Sequence, residues 1–125
     1  MQARSFAQPR RTGSFERAAW LFTRVSAVVL LVMALFHLLY MHIALGTDAI
    51  SFQLIAYRWQ FLGWRLFDLG LLVFGWLHGA NGMRIVIDDY VHSRAARIVA
   101  HTLLFAVTAT LIVLGTFVVL AFESP

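Results

Sequence analysis

Three long apolar stretches constrain this 125-residue chain more than any other feature of its sequence. They lie at about 21–45, 64–90 and 97–122, and the first carries no charged side chain from Ala27 to Leu45. A helix rises about 1.5 Å per residue, so each stretch is long enough to cross a hydrocarbon core of about 30 Å. The sequence therefore predicts an all-α membrane protein with three transmembrane helices.

The composition supports this class and excludes others. Hydrophobic residues make up 61% of the chain, charged residues only 13%, and the mean hydropathy is +0.79. The net charge of +4 does not indicate nucleic-acid binding, because the arginines gather at the ends of the apolar stretches, as membrane-flanking charges do. With no cysteine, the chain can form neither a disulfide nor a thiolate metal site, which leaves histidine as the expected metal ligand.

The arginine distribution predicts the orientation of the chain. Residues 1–14 form a polar arm, and residues 15–125 form a three-helix anchor domain. Because cytoplasmic segments of membrane proteins are rich in basic residues, the N-terminus is expected in the cytoplasm. The second helix is the most polar of the three, so we expect this domain to form part of a heteromeric helix bundle. The arginines of the cytoplasmic side are Arg4, Arg10, Arg11, Arg17, Arg24, Arg84, Arg94 and Arg97, against Arg58 and Arg65 on the other.

The second stretch places a histidine beside a glycine surface at membrane depth. Gly75, Gly79 and Gly82 have the spacing of one helix face, and His78 lies next to that face. Ionisable groups inside a membrane are costly and usually functional, and histidine commonly ligates haem iron. The same glycines could instead pack a partner helix, with His78 as a hydrogen-bonding side chain. Spacing alone leaves both interpretations open.

A six-coordinate haem needs a second axial ligand. His37 and His42 lie in the second half of the first helix, and His101 begins the third. A pair within this chain stays open, but we favour a second ligand from a partner chain. For His37 and His42, a polar helix contact or an interfacial position is the simpler interpretation.

The end of the second helix carries an acid and a phenol. Asp89 follows His78 by eleven residues, about three turns, so the two share a face, and Tyr90 comes next. Such groups at the mouth of an apolar cleft could hydrogen-bond a quinone and pass protons. Simple helix termination, with Asp88 paired to Arg84, is the alternative and is favoured by spacing alone.

Other charged side chains have less specific interpretations. Arg24 and Arg84 could pair with haem propionates or lipid phosphates, or could serve only as membrane anchors. Asp68 is expected to pair with Arg65 or to cap its helix. The aromatic-rich segment 49–62 is expected to lie in the membrane interface as a short amphipathic connector.

These residues resemble a known family. The pattern His78-Gly-x-x-Gly82-x-Arg84-x-x-x-x-Asp89-Tyr90, with Arg24-Val25-Ser26 at the entry to the first helix, resembles the signature of the small membrane anchors of succinate dehydrogenase. This succinate:quinone oxidoreductase has two such cytochrome b-type anchors, designated C and D, and the closer resemblance is to the D anchor. The likeness covers about residues 15–121.

The resemblance implies specific roles. His78 matches an axial ligand of haem b, with the opposite ligand supplied by the C anchor. Arg24 matches an arginine near the haem propionates, while Tyr90 and Asp89 match the residues at the quinone. Gly75, Gly79 and Gly82 would then form the haem face.

The resemblance also implies partners and location. Succinate would be oxidised on flavoprotein and iron–sulfur subunits, with quinone as the final electron-acceptor substrate, so this chain is expected to hold no catalytic residue. It would span a bacterial cytoplasmic membrane several times and would bind no nucleic acid. An anchor of a quinol:fumarate reductase is an alternative. A membrane scaffold without redox function, in which the glycines only pack helices, is another.

Overall fold

The computed structural model describes residues 13–122. Most of the predicted N-terminal arm, residues 1–12, and the last residues, 123–125, lie outside this range. The described residues form helices joined by short links, without a β-strand among them. The elements are α1 (Ser14–Leu38), continued by a π-helical segment (Leu39–Ala44), a 3-10 turn (Thr47–Ala49), α2 (Phe52–Arg58), α3 (Leu62–Tyr90) and α4 (Arg94–Ala121).

Three helical stretches are long and apolar enough to cross a membrane, which confirms the predicted all-α membrane class. They are Ser14–Ala44, Leu62–Tyr90 and Arg94–Ala121. The first stretch begins about seven residues earlier than the predicted start at residue 21, because residues 14–20 contain no helix breaker.

The link between α3 and α4 is also shorter than expected. The hydroxyl of Ser93 accepts the backbone N–H of Ala96 at 3.5 Å, so that α4 begins directly after this cap. The link is therefore residues 91–93, shorter than the residues 91–96 that the predicted helices left between them.

The connector between the first and second spans folds back on itself. Gly46 has a φ of 81°, a conformation that favours glycine, and it ends the π-helical segment. Ser51 then caps α2, because its hydroxyl accepts the N–H of Leu54 at 3.3 Å. The predicted connector therefore contains a short helix, and this helix returns towards the spans.

A row of polar pairs, here called the polar seam, joins α1 to α3. Its α1 members follow one another at intervals of three to seven residues, so they lie on one face of the helix. The helices run antiparallel, and the α3 members follow in reverse order. The pairs are Glu16 with Arg84, Thr23 with Asn81, and Ser26 with His78.

An ion pair lies near the opposite end of the spans. The guanidinium of Arg58, a residue 2% exposed, is 3.3 Å from Asp68 and also donates to the sulfur of Met41 at 3.0 Å. It stands 4.3 Å from the ring centroid of Trp64. The indole of Trp59 donates to the other oxygen of Asp68 at 2.8 Å. These contacts, the Arg58 cluster, hold α2 against α1 and α3.

The predicted partner of Asp68, Arg65, was wrong. Arg65 donates to the backbone oxygens of Trp59 and Phe122, and Arg58 pairs with Asp68 instead. Arg58 is therefore a buried ion-pair member, although the sequence suggested an interfacial position. Only the reversal of the chain between α2 and α3 brings the two charges together, and local spacing does not reveal a reversal.

Helices α3 and α4 pack closely at one point and leave their outer faces open. A Cβ atom added to Gly115 would lie 2.8 Å from a methyl of Leu72, so only glycine permits this approach without a shift. Large apolar side chains cover the outside of α4, such as Phe105, 76% exposed, and Phe117, 66% exposed. This outward apolar surface is the arrangement expected of a helix whose solvent is lipid.

The Arg58 cluster gives a stability prediction. Asp68→Leu leaves the guanidinium of Arg58 buried without a counter-charge, which should cost about 3–5 kcal/mol. Thermal unfolding of the chain in lipid nanodiscs, followed by circular dichroism, would measure the loss as a lower midpoint. The double variant Arg58→Met/Asp68→Leu should recover most of it, because apolar side chains replace a buried ion pair well. A single variant as stable as the parent would contradict the assigned role.

Candidate functional site

His78 is held from α1 by one hydrogen bond. Its Nδ1 lies 2.8 Å from the hydroxyl oxygen of Ser26, which in turn contacts the backbone oxygen of Thr23 at 3.3 Å. Ser26 is 1% exposed, whereas the His78 ring is half-buried. Within residues 13–122 the other ring nitrogen, Nε2, makes no hydrogen bond. One nitrogen of the ring therefore fixes its orientation, and the other is available to a ligand.

Open space lies along the glycine face of α3, on the side of the helix next to the one that carries His78. A Cβ atom added to Gly75, Gly79 or Gly82 would meet no heavy atom within 4 Å outside the local backbone. Gly75 and Gly79 line a cavity of about 500 Å³ between α3 and α4, while His78 contacts α1 on an adjacent side of α3. An imidazole whose Nε2 makes no hydrogen bond within residues 13–122, on a helix with an unfilled glycine surface, fits an iron-bound porphyrin. The same surface would also admit a helix backbone.

The other histidines of the spans lie away from His78. Nδ1 of His37 is 3.8 Å from Asp68, which precedes His78 by ten residues, or about 15 Å of helix. Nε2 of His101 lies 2.9 Å from Asp88 at the end of α3, and His42 is exposed. None of these three histidines therefore lies where it could reach an iron bound at His78.

A groove lies between α1 and α3, at the end of the bundle where Glu16 stands. Arg24 is exposed and its guanidinium lies 3.8 Å from the centroid of the Trp20 ring. Glu16 binds both terminal nitrogens of Arg84, at 3.0 and 3.2 Å, so that this second arginine is neutralised. Arg24 has no carboxylate within 4 Å among residues 13–122. The groove measures about 620 Å³ and is lined by Glu16, Arg17, Trp20, Leu21, Thr23, Arg24, Asn81, Arg84 and Ile85.

Asp88, and not Asp89, takes part in the contacts at the end of α3. Asp88 binds His101 of α4 and lies 3.8 Å from Arg84, the pair that the sequence offered as an alternative. Asp89 is exposed and Tyr90 is 77% exposed. Neither of these two side chains makes a hydrogen bond within the described range. They stand at the rim of the bundle, about 17 Å along α3 from His78.

Sequence reasoning did not assign roles to two of the residues in contact here. Ser26 entered only as part of a short motif, and no role was predicted for Asn81. The available signal was the spacing of polar residues on α1, since Glu16, Thr23 and Ser26 recur on one face of an otherwise apolar helix. A row of polar side chains on one face of an apolar helix predicts a second polar row on the helix that packs against it.

Comparison with known proteins identifies the family. No curated protein matches the chain. One family model does, and it covers residues 3–120, nearly the whole sequence; its description is succinate dehydrogenase/fumarate reductase transmembrane subunit. The match spans the polar seam, the glycine surface and all three membrane helices. The chain therefore belongs to the family of transmembrane subunits of succinate dehydrogenase and fumarate reductase.

Proposed function

We propose that this chain is the D anchor, one of the two membrane anchors of a succinate:quinone oxidoreductase. In this role it holds one side of a haem b and part of the wall of a quinone site. Family membership supports the general role of a membrane subunit in such a complex. The single observation that carries the finer proposal is His78, fixed by Ser26 through Nδ1 with Nε2 available, beside unfilled glycine positions.

His78 would hold the haem iron through Nε2. Its ring is already oriented by Ser26, so binding costs little side-chain freedom. The second axial ligand would come from the other membrane anchor, because His37, His42 and His101 lie elsewhere in the described chain. When bound, the haem would supply a one-electron redox centre inside the bilayer.

Arg24 would bind the haem propionates. Arg24 lines the α1–α3 groove beside Trp20, and no carboxylate among residues 13–122 lies within 4 Å of its guanidinium. Arg84 has its charge balanced by Glu16 and is the weaker candidate. A guanidinium can bind a carboxylate through two parallel hydrogen bonds, which suits a propionate at the edge of the ring.

Tyr90 and Asp89 would serve the quinone. Both stand at the rim of the bundle, and neither is used in contacts among residues 13–122. The Tyr90 hydroxyl can donate a hydrogen bond to a quinone oxygen. Asp89 can hold a proton near that oxygen and exchange it with water. Asp88 is engaged by His101 and Arg84, so it would hold the end of α3 in place.

The remaining partners follow from the same proposal. Flavoprotein and iron–sulfur subunits would oxidise succinate and deliver electrons to the quinone, so this chain supplies no catalytic residue. The chain would cross a bacterial cytoplasmic membrane with its N-terminus inside. The arginine excess before α1 and around the α3–α4 link supports that orientation. Several copies of the complex could also assemble into a larger oligomer.

Measurements on the purified complex distinguish the proposal from two alternatives, a fumarate reductase anchor and a scaffold without redox function. The family also includes transmembrane subunits of fumarate reductase. In such a complex the electrons would flow in the opposite direction, from quinol to fumarate. The ratio of succinate:quinone to quinol:fumarate activity of the purified complex distinguishes these. A scaffold without redox function would contain no haem bound through His78.

The haem assignment predicts a spectroscopic loss. His78→Ala should abolish or strongly change the b-type signal in a reduced-minus-oxidised spectrum of the purified complex, because the iron loses an axial ligand. His42→Ala removes an exposed histidine that makes no contact with His78, and it should leave the spectrum intact. A normal spectrum from the His78 variant would refute the ligand assignment.

The quinone assignment predicts a kinetic change. Tyr90→Phe removes one hydroxyl, and a hydrogen bond worth about 0.5–1.5 kcal/mol corresponds to a roughly 2- to 13-fold higher KM for quinone. Succinate oxidation by a soluble dye should not change. Tyr57→Phe, on the exposed face of α2, is the matched control. Equal quinone kinetics in the two variants would leave Tyr90 as an interfacial residue only.

A further inference from the structure

We propose that Ser26 is a positioning residue for His78, and that it sets which ring nitrogen carries the proton and how strongly the other one donates electrons. The inference rests on the proposed haem site and assigns a role to a residue outside it. The geometry that carries it is the contact of 2.8 Å between the Ser26 hydroxyl oxygen and His78 Nδ1 across the α1–α3 interface.

The direction of this hydrogen bond follows from the proposed ligation of iron by Nε2. A serine hydroxyl has one proton to donate and two lone pairs to accept with. Ser26 Oγ also lies 3.3 Å from the backbone oxygen of Thr23, which can only accept. When Nε2 holds the iron, the ring proton is on Nδ1, so Ser26 accepts the Nδ1–H of His78 and its own hydroxyl proton is left for Thr23. In the neutral ring this leaves a lone pair on Nε2.

Burial makes the contact persistent. Ser26 exposes 1% of its surface, the smallest fraction among the described residues, so water does not compete for its hydroxyl. Hydrogen bonds are stronger in such a low-dielectric setting. The adjacent pair of the polar seam, Thr23 with Asn81, holds the two helices one turn away, so Ser26 keeps its distance from the ring.

The consequence concerns the electronic character of Nε2. A hydrogen bond from the non-ligating N–H of a histidine raises the basicity of the ligating nitrogen. A more basic ligand favours ferric over ferrous iron, and this lowers the midpoint potential. Ser26 would thus keep the potential of the haem lower than an alanine at the same position would.

The test uses the whole complex and a redox titration of its haem. Ser26→Ala should raise the midpoint potential, because the acceptor is lost. A tenfold change in the ferric-to-ferrous preference corresponds to about 59 mV for a one-electron couple, and a shift of this order is expected. Ser26→Thr retains a hydroxyl and should bring the potential back towards the parent value.

Two further variants separate electronic effects from packing. Ser26→Cys keeps a side chain of similar size with a much weaker acceptor, so it should shift the potential in the same direction as alanine. It serves as the test if the alanine complex fails to assemble. Thr102→Val removes a hydroxyl that donates to the backbone oxygen of Ile98 within α4 itself, and it should leave the potential unchanged.

The outcomes also separate this inference from the proposed function. A complex whose b-type spectrum depends on His78, but whose potential is equal in parent, Ser26→Ala and Ser26→Cys, would overturn the role of Ser26 and leave the haem site intact. A parent complex without haem bound to His78 would overturn both. A positive shift in alanine and cysteine, reversed in threonine, supports the positioning role.

Discussion

The polar seam between α1 and α3 is the interaction on which the rest of this structure depends. In a bilayer, apolar helix faces gain little from burying each other, because lipid tails are equally apolar. Polar contacts then decide how helices are aligned. The pairs from Glu16–Arg84 to Ser26–His78 fix both the rotation and the register of α3 against α1. That register places His78 at membrane depth and directs an adjacent side of α3 towards α4.

The polar contacts divide the protein into two ends with different tasks. At one end, Arg84 joins Glu16 to Asp88, and Asp88 joins His101, so that one network crosses all three spans. It steadies the rim where the proposed quinone residues stand. At the other end the Arg58 cluster holds a short helix against the spans. Between these two ends the spans are mostly apolar, and the contact of His78 with Ser26 is a polar contact in this middle part.

The sequence predicted well what depends on composition and on local order. Long apolar runs indicate membrane helices, because their length is set by the bilayer, and the motif around His78 led to the correct family. It predicted poorly what depends on chain reversal. The pairing of Arg58 with Asp68 requires α2 to fold back, and no local spacing encodes that path. The role of Ser26 was equally hidden, because its partner lies 52 residues away.

The buried Arg58–Asp68 pair also has a consequence for how the chain enters the membrane. Arg58 emerges from synthesis ten residues before the acid that neutralises it, and until then it cannot leave water at acceptable cost. Helix α2 can therefore dock against the spans at low cost only once Asp68 of α3 is in place to pair with Arg58.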